Sequence, residues 1–244
     1  FYFTIEAFNL AEKYQCPVIV ASDLFLGMSK QSINVADIDL ENIDINRGHV
    51  LTDEELAELE VRAYQRYKVT ESGISPRTIP GQKNGMFTAL SNEHDEGSPV
   101  EIEDPETRKK MMDKRMKKLN DFDWGDRAYE YHGPEETDIT LAGFGSTVSQ
   151  MKEAAAILEA EGLKVGLLTV KVVKPFPDDP VKRVLQGADN IVVVENNATG
   201  QFAELLKQRV GFHDKITNCL KYDGDPFLVQ DILDHCEQLK GVAV

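Results

Sequence analysis

The sequence predicts an α/β protein in two parts: the tail of one α/β domain, then a compact α/β domain with a mostly parallel sheet. Three observations carry this. A helix, a short link and an all-apolar run of four residues stand at the front as half of an α/β unit, without the strands that should precede it. From Thr137 onward, strands and helices alternate at the spacing that parallel sheets require. Between these parts lies a stretch rich in Gly, Pro, Ser and Asn with no sustained period. The expected boundaries are 1–69 for the domain tail, 70–130 for a linker carrying a basic helix, and 131–244 for the second domain.

The elements follow in order. The first segment reads as a helix ending near Lys13, with Phe3, Ala7, Leu10 and Ala11 on one face. Cys16-Pro17 breaks it, and Val18-Ile19-Val20-Ala21 then reads as a strand buried on both faces, with Asp23 at its end. Residues 36–50 are polar and irregular. Thr52-Asp53-Glu54-Glu55 is a capping box, because the Thr hydroxyl and the Glu carboxylate can each take an orphan N–H. Leu56, Leu59, Ala63 and Tyr67 mark one face of the helix it starts. Residues 70–103 are too long for a casual loop, and such stretches are usually functional or disordered.

Asp104-Pro105 pairs an N-cap with proline at the first helical position. Met112, Met116 and Leu119 line one side of that helix. The other sides carry Arg108, Lys109, Lys110, Lys114, Arg115, Lys117 and Lys118, either as a solvated face or as a docking strip for an acidic partner.

From 137 the expected strands are 139–142, 165–170, 191–194 and 216–220. Thr147-x-x-Gln150 should cap a helix that buries Val148, Met151, Ala155 and Leu158, with Gly162 at its end. Asp179-Pro180 should start a short helix stopped by Gly187. Another follows Gly200 with Phe202, Leu205 and Leu206 inward. Asp225-Pro226 should open the last, with Val229, Ile232, Leu233 and Cys236 inward.

Composition excludes several function classes. The net charge of −15 repels phosphate backbones, so no nucleic-acid partner is expected. No apolar run approaches the roughly 20 residues needed to span a bilayer, so no membrane is expected either. The chain opens on Phe1 rather than Met, in mid-pattern and without a signal peptide's basic and apolar regions, which predicts a fragment or a cleaved product. Cys16, Cys219 and Cys236 are far apart and form no CxxC pair, so this chain alone is expected to hold no iron–sulfur or zinc site. The low Cys count fits a reducing, cytoplasmic setting.

Several motifs invite chemistry. Gly143-Phe144-Gly145 stands between a strand and a helix like a dinucleotide fingerprint, but Val148 replaces the third glycine and Lys171 stands where an acid should hold the ribose. The glycines serve better as a tight turn before a capped helix. The five histidines are scattered, and no HExxH, GxSxG or Walker loop exists. Glu195, at a strand's carboxyl end, is either a functional group or the cap of the following turn, and the cap is favoured. Gly73-Ile74-Ser75-Pro76-Arg77-Thr78-Ile79-Pro80-Gly81 is the most unusual segment. Two prolines fix its backbone and two glycines free it, so Arg77 is held for a carboxylate or phosphate, or pairs with one of the chain's own acids.

That loop, with Ser91-Asn92-Glu93-His94-Asp95-Glu96-Gly97 and Lys114-Arg115-Met116-Lys117-Lys118-Leu119, resembles the α subunit of 2-oxoacid:ferredoxin oxidoreductases, the 2-oxoglutarate branch most of all. The early stretch from Ala7 to Val20 with Ser22-Asp23 resembles the end of that family's thiamine-diphosphate pyrimidine-type domain. Residues 137–244 resemble its transketolase C-terminal-like domain through Gly143-x-Gly145-Ser146, Lys174-Pro175-Phe176-Pro177, Val194-Glu195-Asn196 and Thr199-Gly200-Gln201.

The resemblance implies oxidative decarboxylation of a 2-oxoacid with coenzyme A, giving acyl-CoA and CO2 while ferredoxin is reduced. It implies thiamine diphosphate, Mg2+ and a [4Fe-4S] cluster, held mainly by a β subunit and none of them by this chain alone. The family's substrate-binding Tyr-Pro-Ile-Thr-Pro and Arg-Gly-Gly-Pro-Ser-Thr-Gly stretches do not occur here and would lie ahead of Phe1. No catalytic residue is therefore expected in this chain, and no metal ligand. Arg77 and His94 are candidates for the subunit interface or the edge of the active site. The alternative function is a non-catalytic assembly domain of another thiamine-diphosphate enzyme, such as a transketolase-type transferase.

Overall fold

The computed structural model describes residues 1–242. The chain divides into two compact units. The first comprises Phe1–Ala21 and Ser32–Phe122. The second comprises Ser22–Gln31 and the chain from Asp123 onward.

The second unit carries the sheet. Its strands are β1 (Tyr129–His132), β2 (Thr137–Gly143), β3 (Val165–Val170), β4 (Ala188–Glu195) and β5 (Ile216–Leu220). They lie in the order β1-β3-β2-β4-β5. Four are parallel, and β1 pairs antiparallel with β3 at one edge. Helices α5 (Thr147–Ala160), α6 (Asp178–Leu185), α7 (Gln201–Val210) and α8 (Val229–Val242) connect and follow them. Successive strand residues point to opposite faces. Val192 and Val194 accordingly join Leu141, Met151, Leu158 and Ile232 in one core, while Ile191 and Val193 join Leu168, Val181, Leu185 and Leu206 in the other. Each fully buried aliphatic side chain of this kind contributes about 2 kcal/mol.

Three details depart from the sequence expectations. Thr147 does not cap α5: its hydroxyl donates to the Phe144 carbonyl at 2.9 Å. Helix α8 begins at Val229 rather than beside Asp225, with the Asp231 carboxylate accepting the Leu228 N–H at 2.8 Å. Strand β1 was not anticipated, being a half-buried edge strand of four residues with little apolar pattern.

The first unit contains α1 (Tyr2–Tyr14), α3 (Asp53–Ala57) and α4 (Pro105–Lys117); the five-residue α2 (Leu24–Met28) belongs to the second unit. Tyr14 closes α1 and packs on Phe122 with ring centroids 4.9 Å apart. The capping box at Thr52 and Glu55 is formed, but the helix stops after Ala57 instead of running to Tyr67. Asn84 explains the stop. Its side-chain amide takes the carbonyls of Leu56 and Leu59, at 3.1 and 3.4 Å, which a longer helix would need for itself.

The expected strand at 18–21 is absent. Ile19 is 88% exposed, and no sheet among the described residues of this unit offers it a neighbouring strand. In α4 the buried side carries Met111 and Lys114, while Met112 and Met116 are exposed, so the face is turned from the expected one. Gly73 accounts for this. With φ at +76°, it lies so close to the Lys114 carbonyl that a Cβ would stand 2.2 Å away, and its loop covers that side of the helix. The irregular segment 70–103 is ordered by side-chain bonds, including Ser75 Oγ to Lys68 O at 2.8 Å and Thr78 Oγ1 to Gly85 O at 2.8 Å.

Candidate functional site

Each unit brings candidate residues together. In the first, Arg77 leaves its loop beside a short bridge to Val50. Its backbone N–H donates to His49 O at 3.0 Å, and its carbonyl accepts from Leu51 N at 2.8 Å. Its Nε and Nη2 donate to the Arg47 carbonyl at 3.2 and 3.0 Å, and the guanidinium pairs with Glu12 on α1. Of the two readings open for Arg77, pairing with the chain's own acid is the geometry observed. Burial pulls its pKa down, against that pairing.

His94 lies 9% exposed with its ring stacked on Tyr67, centroids 3.7 Å apart. Its Nδ1 stands 3.0 Å from the Asp95 carbonyl. A carbonyl only accepts, so this bond requires the proton on Nδ1. The flanking acids anchor the motif. Glu93 accepts from Arg115 and Arg108, and Arg115 above all holds its carboxyl at about 2. Glu96 accepts from Lys110 Nζ at 2.6 Å and from the Val69 N–H at 2.7 Å. The basic helix thus spends Arg108, Lys110 and Arg115 on acids of its own chain. No hydrogen bond, ion pair or ring contact joins Arg77 to His94 among the described residues.

In the second unit, β2 lies between β3 and β4, and α5 covers one face while α6 and α7 cover the other. Ligands of open α/β sheets bind beyond the strand carboxyl ends where the order reverses in this way. Here both helix starts at that place are filled by carboxylates of the chain. Glu195, 1% exposed, accepts the N–H groups of Phe202 and Ala203 at the start of α7, at 2.8 and 3.0 Å, and the Asn197 amide. It is the cap that the sequence favoured. Asp23 accepts the Leu26 N–H at 2.8 Å and the Ser146 N–H at 2.9 Å. Burial would raise its pKa, but these donors outweigh it and hold the carboxyl below its ordinary range. Gly145, at φ +65°, lets Asp23 approach, since a Cβ there would stand 2.9 Å from its oxygen. The Gly143–Ser146 turn is therefore a structural turn with no opening for a dinucleotide phosphate. The sequence pattern pointed to Asp23 only as the end of a strand; nothing local marked Ser146 as its partner, 123 residues away.

A [4Fe-4S] cluster takes four thiolates, and this chain has three cysteines. Cys219 and Cys236 are buried, and burial above all pushes the Cys219 thiol up to about 12, so it stays protonated. No group of three or more His, Cys, Asp or Glu among the described residues could hold a metal ion. Among the described residues neither the cluster nor Mg2+ finds a ligand set. Among the described residues no helix is long and apolar enough to cross a membrane.

Comparison with known proteins gives concordant matches along both units. Residues 1–114 match the family model for the pyruvate flavodoxin/ferredoxin oxidoreductase thiamine-diphosphate-binding domain, and residues 137–232 match that for pyruvate:ferredoxin oxidoreductase core domain II. The α subunit of 2-oxoacid:ferredoxin oxidoreductase 2 from Aeropyrum pernix is 35% identical over 229 residues, covering 93% of this chain and 34% of its own length. The 2-oxoglutarate synthase subunit KorA of Methanothermobacter thermautotrophicus is 25% identical over 214 residues, covering 86% of this chain and 53% of its own. The structure of 2-oxoglutarate:ferredoxin oxidoreductase from Magnetococcus marinus, with 2-oxoglutarate, coenzyme A and succinyl-CoA bound, superposes with a TM-score of 0.77 at 29% identity, covering 94% of this chain and 38% of that one. The chain spans about a third of the length of the 2-oxoacid relative and about half that of KorA.

Proposed function

The chain belongs to the family of 2-oxoacid:ferredoxin oxidoreductase α subunits, and on that premise we propose that it serves in the oxidative decarboxylation of 2-oxoglutarate. The reaction takes one 2-oxoacid, one coenzyme A and two oxidised ferredoxins, and yields acyl-CoA, CO2, two reduced ferredoxins and a proton. The observation that carries this reading is the likeness to a 2-oxoglutarate:ferredoxin oxidoreductase along 94% of the chain, through both units in the same order. The relatives named above do not favour the transketolase-type alternative.

Thiamine diphosphate supplies the electron sink for decarboxylation and the cluster takes up single electrons. We assign both, with Mg2+, mainly to a β subunit; for the metal groups, the cysteines of the chain and the acids among the described residues offer no ligand set. The part left to this chain is positioning. Arg77, tied to Glu12 and Arg47, and His94, stacked on Tyr67, fix two loops that we place at the subunit interface or the edge of the active site. The setting is the cytoplasm.

The test is reconstitution. The polypeptide, joined to an upstream α-subunit segment carrying the substrate-binding stretches and combined with a cluster-loaded β subunit, should reduce a viologen dye with 2-oxoglutarate in a coenzyme A-dependent way. A folded, cluster-loaded complex that reduces no dye would refute the assignment.

A further inference from the structure

Three cations of the first unit lie near one another, and among the described residues none of them forms an ion pair with a carboxylate. Lys114 and Lys118 stand four residues apart on and just after α4, which places them on one side of it. Arg66 comes from the segment after α3. Arg66 Nη1 donates to Gln15 Oε1 at 2.9 Å, and Lys118 Nζ donates to the Gln15 carbonyl at 2.8 Å, so both charges converge on one neutral residue. Lys114 is 5% exposed, and among the described residues its ammonium makes no hydrogen bond and no ion pair.

The charges facing Lys114 are Lys118, Arg66 and Arg115, which repel it, and Glu96, which attracts it. Glu96 is already taken by Lys110 and the Val69 N–H, and Arg115 by Glu93. The chain has 42 acidic residues against 27 basic ones. Acids are in excess, yet among the described residues no carboxylate forms an ion pair with Lys114, Lys118 or Arg66.

The Lys114 stem is buried while its unpaired ammonium still reaches solvent, so a ligand can approach it, and a cation held among like charges favours an anion. We propose that Lys114, Lys118 and Arg66 form a binding site for a phosphate group. Three adjacent positive charges suit a doubly charged oxyanion, because a single carboxylate would leave two of them uncompensated. The donor set fits as well. One Arg66 nitrogen is held by Gln15 and the rest of its planar fork is available, while each ammonium offers rotatable N–H groups. The ligand is either the free ion or a phosphate monoester of a small molecule, since both present the same dianion. This inference stands apart from the oxidoreductase reading and does not depend on it.

Calorimetric titration of the full chain with inorganic phosphate, at constant ionic strength, tests the site. Glycerol phosphate supplies the ester arm, and acetate is the monoanion control. Saturable binding of one phosphate is expected, at least tenfold weaker in Lys114→Met and in Arg66→Gln. Lys109→Met, altering an exposed lysine of α4, should bind as the wild type does. Phosphate should also raise the Tm of the wild type and leave that of folded Lys114→Met where it was. Tighter binding of the ester identifies an ester as the source, and tighter binding of the ion identifies free phosphate; either supports the site. No saturable binding, undiminished binding in Lys114→Met, or acetate binding as tightly as phosphate overturns it. An acidic peptide that binds there more tightly than either phosphate form also overturns it, and gives the place to a protein partner.

Discussion

Replacing Lys114 with methionine should stabilise the protein. The residue as a whole is 5% exposed, and burial, with Lys118, Arg66 and Arg115 alongside, pushes its pKa from an ordinary 10.5 to about 8. At about 1.4 kcal/mol per pH unit, holding that proton at pH 7 costs the fold about 3 kcal/mol. Methionine keeps the length of the stem and removes the charge, and because solvent still reaches the ammonium and screens it, the variant should gain about 1–2 kcal/mol at pH 7. The sign with pH follows from proton counts. Between pH 8 and 10.5 the unfolded chain holds the Lys114 proton and the folded chain has lost it, so wild-type stability rises across that window. Below it the full cost stands, and above it the cost is gone. The gap between variant and wild type should therefore close as pH climbs toward 10.5, with Glu96 the one attractive charge opposing the trend. Urea unfolding in phosphate-free buffer at several pH values measures this, with equal m-values as the check on the comparison. A variant that is less stable at pH 7, or a gap that stays constant with pH, would refute the reasoning.

Two further outcomes are expected. Glu93→Gln should lose about 1–2 kcal/mol at pH 7, since solvent weakens the pairing with the more exposed Arg108. The carboxyl is held at about 2 rather than 4.5, so this stability is present above pH 4.5 and lost as pH falls through 2; an acid-unfolding midpoint identical to the wild type's would contradict it. Glu195→Ala should cost about 2–4 kcal/mol by leaving the Phe202 and Ala203 N–H groups buried without acceptors. Hydrogen exchange at those two amides should quicken, and unchanged protection there would rule the cap out as their partner.

The second unit was legible in the sequence because its period is dense. Ile191 to Val194 is apolar at every position and buried on both faces, and Gly162, Gly187 and Gly200 punctuate the helices around it. The first unit was less legible because distant residues decide its local structure. Val18-Ile19-Val20-Ala21 has the composition of a buried strand, but composition cannot supply the neighbouring strands that pairing needs. The pattern from Leu56 to Tyr67 is helical, yet Asn84 takes the carbonyls that would continue the helix. Lys114 lies in a basic run that reads as a solvated face, and the approach of the Gly73 loop to its backbone, some forty residues earlier in the chain, carries no local mark. The Arg77 loop stands out by its prolines and glycines, but its partners Glu12 and Arg47 lie far upstream and carry no mark in the sequence.

The placement of Asp23 on the Ser146 N–H has a consequence for how the protein is made and divided. At about 5–20 residues per second, synthesis delivers Asp23 on the order of ten seconds before Ser146 exists to receive it. A gene split between codons 122 and 123, where the larger part of the second unit starts, would strand that carboxylate on the wrong polypeptide. The fragment would need a short peptide spanning 22–31, supplied in trans, to close the start of its first long helix.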